Sequence, residues 1–255
     1  MQKLKISIAQ FENKSGDKSY NLEVIRKLSE QAAKDGSQVV AFHECSITAY
    51  TFARNLSKEQ MLELAEFVPD DKSVKELIAI AQTYNIAILA DLFENDNTDQ
   101  IFKTHICVDK NSVVAKYRKL HPFINPNVTP GDQYRVLDLY EYIRATNILG
   151  ADIIFMSHVT MCTPSTRPKA GFVDRMDEDQ LKYGCSMIID LFGHIIAECR
   201  KLDNEVIIAT IVPEKLTKAG GYRYKKARRP NLYRDTVGQS HNLEQKVFWL
   251  SPEEN

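Results

Sequence analysis

Apolar and polar residues alternate along residues 4–11 (LKISIAQF), a period of two that predicts a first strand. Residues 19–34 place Leu22, Ile25, Leu28, Ala32 and Ala33 at helical spacing and stop at Asp35-Gly36, so a helix is expected there. Residues 39–42 (VVAF) have the length and β-branched character of a buried strand. A strand–helix–strand unit of this size predicts a parallel pair joined by a right-handed crossover. Ser57-Lys58-Glu59-Gln60 reads as a capping box opening a helix that runs through Phe67. Val74, Leu77, Ile78, Ile80 and Ala81 predict a further helix over residues 73–84, and residues 86–91 a short central strand.

The second half is more broken. Residues 102–108 and 113–119 read as strands joined at Asp109-Lys110-Asn111-Ser112, a good hairpin turn. Residues 121–132 (HPFINPNVTPGD) hold three prolines and a glycine and must be loop. A helix is expected over 139–149, a buried strand over 152–156 and irregular chain over 161–179. Residues 185–190 and 194–199 flank Leu191-Phe192-Gly193 as a second hairpin, and 205–212 is a last strand. Residues 216–255 are polar and basic and are expected to wrap the surface as a C-terminal arm of one domain spanning 1–255.

Composition narrows the function classes. With 255 residues the chain can bury a sizeable core, and a formal net charge of −1 gives no global pull towards nucleic acid or acidic membranes. No apolar run reaches 18 residues and no signal-like start is present, so a cytoplasmic protein is expected. The five cysteines (Cys45, Cys107, Cys162, Cys185, Cys199) are odd in number and lack a C-x-x-C pair. That argues for reduced thiols and against a disulfide framework or a structural metal site. No cofactor is implied.

Chemistry concentrates at two strand ends. The run 39–42 terminates in His43-Glu44-Cys45, and a carboxylate at the end of a buried strand is costly unless it is paired or working. Lys119 follows the apolar run 113–115 in the same way. Each has a plain reading as well, Glu44 as a helix-capping carboxylate and Lys119 as a solvated strand end. Cys45 would point away from Glu44 on a strand, which makes it a packed thiol. Cys107, Cys185 and Cys199 read as core residues, and Cys162 sits in a polar stretch from which it could approach the pair. Ser157-His158 are sequence neighbours and poorly placed to face each other. Residues 222–234 (YRYKKARRPNLYR) interleave six basic residues with three tyrosines, the composition of a single-strand nucleic-acid surface, but packing on the domain or a partner is the favoured role.

Several motifs together carry a resemblance. Residues 6–10 and Glu44 with Tyr50 beyond it, the stretch Tyr117-Arg118-Lys119-Leu120-His121-Pro122-Phe123, the turn Thr129-Pro130-Gly131-Asp132, and Gly184-Cys185-Ser186-Met187-Ile188-Ile189-Asp190 with Gly193 occur in the order found in the nitrilase superfamily, the carbon–nitrogen hydrolases. The chain resembles that family over nearly its whole length. The resemblance implies an α/β fold, an α-β-β-α sandwich of two mixed sheets flanked by helices, often paired into homodimers. It also implies hydrolysis of a small linear amide or N-carbamoyl compound, ahead of a nitrile, through a cysteine nucleophile, a glutamate base and a lysine that stabilises the oxyanion.

By matching motif the expected catalytic residues are Glu44 and Lys119; no substrate-binding residue is assigned. The chain departs from the family where the cysteine belongs. Residues 131–142 contain none, residues 134–138 and 139–143 resemble the segments on either side of it, and the strand and elbow between them have no counterpart. A second gap falls near 171–177, and residues 121–132 lack the further glutamate that many members carry. The alternative is therefore a catalytically inactive member of the same fold, serving in ligand binding or oligomer assembly.

Overall fold

The computed structural model describes residues 3–122, 125–133, 138–139, 143–144, 153–157, 161–162, 181–182, 186–201, 203–218 and 229. The chain divides into two compact units, Met1–Ala219 and Gly220–Asn255. The second contributes only Arg229 to the described residues, so the arm and its basic–tyrosine stretch lie almost wholly outside them.

In chain order the first unit runs β1 (Leu4–Gln10), α1 (Lys18–Lys34), β2 (Val39–Phe42), α2 (Lys58–Leu64), β3 (Glu66–Phe67), α3 (Lys72–Tyr84), β4 (Ala87–Asn95), β5 (Ile101–Val108), β6 (Val113–Arg118) and β7 (Val128–Thr129). The short strands β8 (Asp138–Leu139), β9 (Ile143–Arg144), β10 (Met161–Cys162) and β11 (Leu181–Lys182) follow, then β12 (Met187–Ile189), β13 (Ile195–Glu198) and β14 (Glu205–Ile211). One mixed sheet has the order β14-β1-β2-β4-β5-β6, with β3 beside β4 and β7 beside β5. β1, β2 and β4 are parallel, and β14 closes against β1 antiparallel from Leu4↔Ile211 to Gln10↔Glu205.

The two faces of this sheet have different partners. Val40, Phe42, Ile88, Ala90, Leu92, Ile106 and Val108 pack against the buried stripe of α1 (Leu22, Ile25, Leu28, Ala32) and of α3 (Val74, Leu77, Ile80, Ala81). The opposite face carries Leu4, Ile6, Val39, Ala41, Ala87, Leu89 and Cys107, which meet Ile188 and Cys199 of the β12–β13 region and the extended stretch through Ile153 and Phe155. Period-two alternation thus sends successive residues of one strand into two separate cores. Helix ends use the expected local chemistry. Asp17 caps α1 by accepting from the Tyr20 amide at 3.0 Å, Gly36 takes φ +81° just beyond the helix, and Ser57 and Gln60 form the capping box of α2.

Several expectations need correction. The α2 helix stops at Leu64 instead of continuing through Phe67, because Glu66 and Phe67 pair with Glu94 and Asn95 at the end of β4. There Glu66 accepts from the Ser73 amide (3.0 Å), the Ser73 hydroxyl (2.6 Å) and Lys18 (2.8 Å), so it satisfies the N-terminus of α3 from outside that helix. The central strand is longer than expected, reaching Asn95. The described part of the helix expected over 139–149 is extended instead, with Leu139 opposite Ile143; β-branched Ile143 suits a pleated backbone. The stretch 153–157 buries only one side, since Ile154 and Met156 are exposed while Ile153 and Phe155 pack inward. Within the loop over 121–132, β7 adds a two-residue pair to β5. Residues 171–177 lie outside the described residues.

Replacing Glu66 with alanine removes three charge-assisted contacts at a buried helix start. A loss of about 1.5–3 kcal/mol is expected, read as a lower urea midpoint at unchanged slope.

Candidate active site

β2 ends at Phe42, and the chain enters a tight turn that is pinned from several sides. Cys45 and Ala49 have φ of +47° and +60°, a region side chains seldom adopt. Local strain of this kind persists only when the surroundings over-determine it. Here the Asn13 side-chain amide donates to the Cys45 carbonyl (3.0 Å) and the Asn21 amide to the Ile47 carbonyl (2.8 Å). The Ile47 amide donates to the Asp91 carbonyl (3.1 Å), and the Asp91 amide to the Ser46 hydroxyl (3.2 Å). The His43 ring lies 4.8 Å from that of Phe11, with Nδ1 3.0 Å from the Glu44 carbonyl. This turn aims the Glu44 side chain, which is almost fully buried, towards the inner face of β5.

That face is banded. Along β4 it reads Ala87, Leu89, Asp91, Phe93, and along β5 the paired positions read Cys107, His105 and Lys103. Apolar residues thus flank a polar band, with Leu89 and Cys107 in one cluster and Phe93 and Ile101 in another. The band continues past β6, where the Lys119 amide donates to the Lys103 carbonyl at 2.8 Å and extends the ladder by one residue. Both ammoniums, Lys103 Nζ and Lys119 Nζ, contact the same oxygen, Glu44 Oε1. The Lys103 contact is an ion pair without an aligned hydrogen bond, and its Nζ lies 3.5 Å over the Tyr50 ring. Asp91 Oδ2 is 3.4 Å from the Ser157 hydroxyl and 3.7 Å from His105 Nδ1.

The electrostatics follow from this packing. Burial opposes the Glu44 carboxylate, but the charges of Lys103 and Lys119 outweigh it and hold its pKa down to about 2. Burial likewise opposes the Lys103 ammonium, and the groups around it, Cys45, Glu44, Tyr50 and Asp91, raise it above the ordinary lysine value. Burial pushes the Cys45 thiol and the Tyr50 hydroxyl well up, and the Cys107 thiol up to about 12. These two thiols are therefore protonated packing groups, as expected for Cys45, though a left-handed backbone rather than strand alternation places it.

The reverse face supports the lysine. Glu94 accepts from Thr104 (2.6 Å), Lys116 (2.6 Å) and both Nε and Nη2 of Arg118 (3.1 and 2.8 Å), tying β4, β5 and β6 together one residue before Lys119. The Gly131 amide donates to the Lys119 carbonyl at 2.9 Å, and a Cβ on Gly131 would lie 2.3 Å from the Arg118 carbonyl oxygen. Glycine is required there by close backbone approach.

The structure thus brings Glu44 and Lys119 together, 75 residues apart in sequence. Cys162 has only its backbone described, Cys185 and His158 lie outside the described residues, and Ser157 meets Asp91 rather than the pair. Lys103 was missed by sequence reasoning, as were Asp91 and His105. The signal was present, since Lys103 and His105 are charged or polar residues at alternate positions of a strand buried on both faces. Among the described residues no group of three His, Cys, Asp or Glu could hold a metal, and no helix is long and apolar enough to cross a membrane.

A carboxylate depressed from 4.5 to about 2 contributes stability that is present above the higher value and is lost as pH falls through the lower one. Over that window the denaturation midpoint of the wild type is expected to fall more steeply with acid than that of Glu44→Gln, which cannot titrate. Denaturant titrations at stepped pH read the difference.

The chain is similar to known proteins in sequence and in fold. A nitrilase from Pyrococcus abyssi is 26% identical over 227 residues, covering 76% of this chain and 84% of the relative. The omega-amidase NIT2 of Xenopus tropicalis is 23% identical over 241 residues, covering 86% and 78%. Among solved structures, an amidase from Nesterenkonia sp. AN1 in complex with acrylamide superposes with a TM-score of 0.71 at 16% identity, over 91% of this chain and 97% of that one. Nit3 of Saccharomyces cerevisiae, a nitrilase-superfamily member, gives 0.68 at 21% identity, over 94% and 96%. The described layers are accordingly those of the α-β-β-α sandwich. The carbon–nitrogen hydrolase model matches residues 5–141, a stretch that holds β1, the Glu44 turn, Lys103 and Lys119, and the chain belongs to that family.

Proposed function

We propose that the protein hydrolyses a non-peptide carbon–nitrogen bond in a small linear amide or N-carbamoyl compound, ahead of a nitrile. The observation that carries this reading is the contact of Lys119 with Glu44 at the end of β2. Glu44 takes the proton of the nucleophile and passes it to the departing amine as the carbon–nitrogen bond breaks; it then takes a proton from the attacking water and returns it to the nucleophile as the acid is released, while the Lys119 ammonium stabilises negative charge as it develops on the carbonyl oxygen. The omega-amidase relatives make short ω-carboxamides the first substrates to assay. A cytoplasmic homo-oligomer, with neither nucleic acid nor membrane as partner, belongs to the same reading.

The nucleophile is the open element. In a glutamate-to-leucine mutant of the Nesterenkonia amidase, the acetamide moiety of fluoroacetamide is added covalently at the active-site cysteine. In this chain no cysteine lies between Cys107 and Cys162, and Cys45, Cys107 and Cys199 are buried. A thiolate is the attacking species, so Cys162 is the first thiol to test. One observation favours the second reading, an inactive family member kept for ligand binding or assembly. Glu44 already holds two ammoniums, and a carboxylate whose pKa lies near 2 is a weak base.

For the enzyme, Glu44→Gln and Lys119→Met are each expected to lower kcat/KM by about 10²-fold or more, and Cys162→Ala to abolish turnover together with stoichiometric thiol labelling. A folded protein that binds a carboxamide without turning it over moves the assignment to the second reading.

A further inference from the structure

Two lysines reach Glu44 Oε1, and they differ in what else they can do. The Lys103 side chain is 0% exposed, comes from the middle of β5 and is enclosed by the Tyr50 ring and Glu44. The Lys119 side chain, beyond the end of β6, is 26% exposed. Asp91, buried on the neighbouring strand and on the same face, has an Oδ1 without a hydrogen-bond partner among the described residues and acts on Lys103 through its charge. Charge therefore alternates from the interior outwards as Asp91, Lys103, Glu44, Lys119. If Lys119 alone balanced Glu44, turning its ammonium to an anionic oxygen of a ligand would strip a buried carboxylate of its cation, an expensive step in a low-dielectric site. A second, fixed cation removes that penalty.

We propose that Lys103 is a positioning residue that holds Glu44 as a fixed carboxylate from the buried side, so that Lys119 is released to meet a negatively charged oxygen of the ligand. The part concerning Lys119 rests on the hydrolase reading; the part concerning Lys103 does not. Among the described residues, the other titratable groups around Glu44 are Cys45 and Tyr50 from the turn after β2, Asp91 from β4 and His105 from β5. Cys45 and Tyr50 are held protonated by burial, which leaves Lys103 as the cation facing Glu44 from within the sheet.

The test is a carbon-13 titration of the glutamate side-chain carboxyls in the ligand-free protein, with the Glu44 resonance assigned by its loss in Glu44→Gln. In Lys119→Met the Glu44 midpoint is expected to stay at least about one pH unit below the ordinary glutamate value, since one contacting cation suffices for that. In Lys103→Met it is expected to rise above its position in Lys119→Met. A Glu44 midpoint in the ordinary range or higher in Lys119→Met overturns the proposal, because Lys119 would then be the cation that holds it. Circular dichroism reports whether Lys103→Met folds, and if it does not, Lys119→Met decides alone. No substrate enters the measurement, so an absence of turnover would count against the hydrolase reading and leave this result standing.

Discussion

A carboxylate taken out of water needs a cation in contact with it, and at Glu44 that requirement shapes much of the first unit. Two ammoniums meet one oxygen, and neither comes from a residue near Glu44 in the chain. For them to arrive, β2 has to stop at Phe42, β5 has to present Lys103 on its inner face, and β6 has to end so that Lys119 continues the ladder. A cluster of this kind is tightly coupled. With both cations in place the buried charge is compensated, and without them the same carboxylate would be a liability of several kcal/mol.

The surrounding structure is consistent with that demand. On one side, the turn after β2 adopts two left-handed residues and is tied to β4 through Ser46, Ile47 and the Asp91 backbone. On the reverse face, Glu94 binds Lys116 and Arg118 and clamps the strands just before Lys119, while Gly131 approaches so closely that no side chain fits. The inner face then places a polar band between two apolar clusters, where a low dielectric strengthens every charge interaction. Such an environment suits the stabilisation of a developing oxyanion. It also explains the inert thiols, since the same burial that strengthens the ion pairs keeps Cys45 and Cys107 protonated.

Much of the fold was legible along the chain. The alternation over 4–11, the helical stripes of α1 and α3, the capping box at Ser57 and the turn at Asp109 are local patterns; β1, α1 and α3 formed within a residue of their expected spans, and α2 began where its capping box placed it. Errors fell where a distant group decided the outcome. Glu66 left its helix because Ser73 and Lys18 needed a carboxylate, and β4 ran on to Asn95 because β3 and β5 pair with its far end.

The candidate site divides in the same way. Motifs around Glu44 and Lys119 are contiguous in sequence, so the two residues could be named from the chain alone, and the lack of any cysteine between Cys107 and Cys162 could be read there too. Lys103, Asp91 and His105 belong to no motif. Their roles depend on which face of a twice-buried strand they occupy and on what stands opposite, and a period-two pattern does not say which face is which. The sequence by itself determined most of the elements, the family and the pairing candidates Glu44 and Lys119. Only the tertiary structure decided that a second lysine shares the Glu44 oxygen, because strand register, not spacing along the chain, sets which charges are buried together.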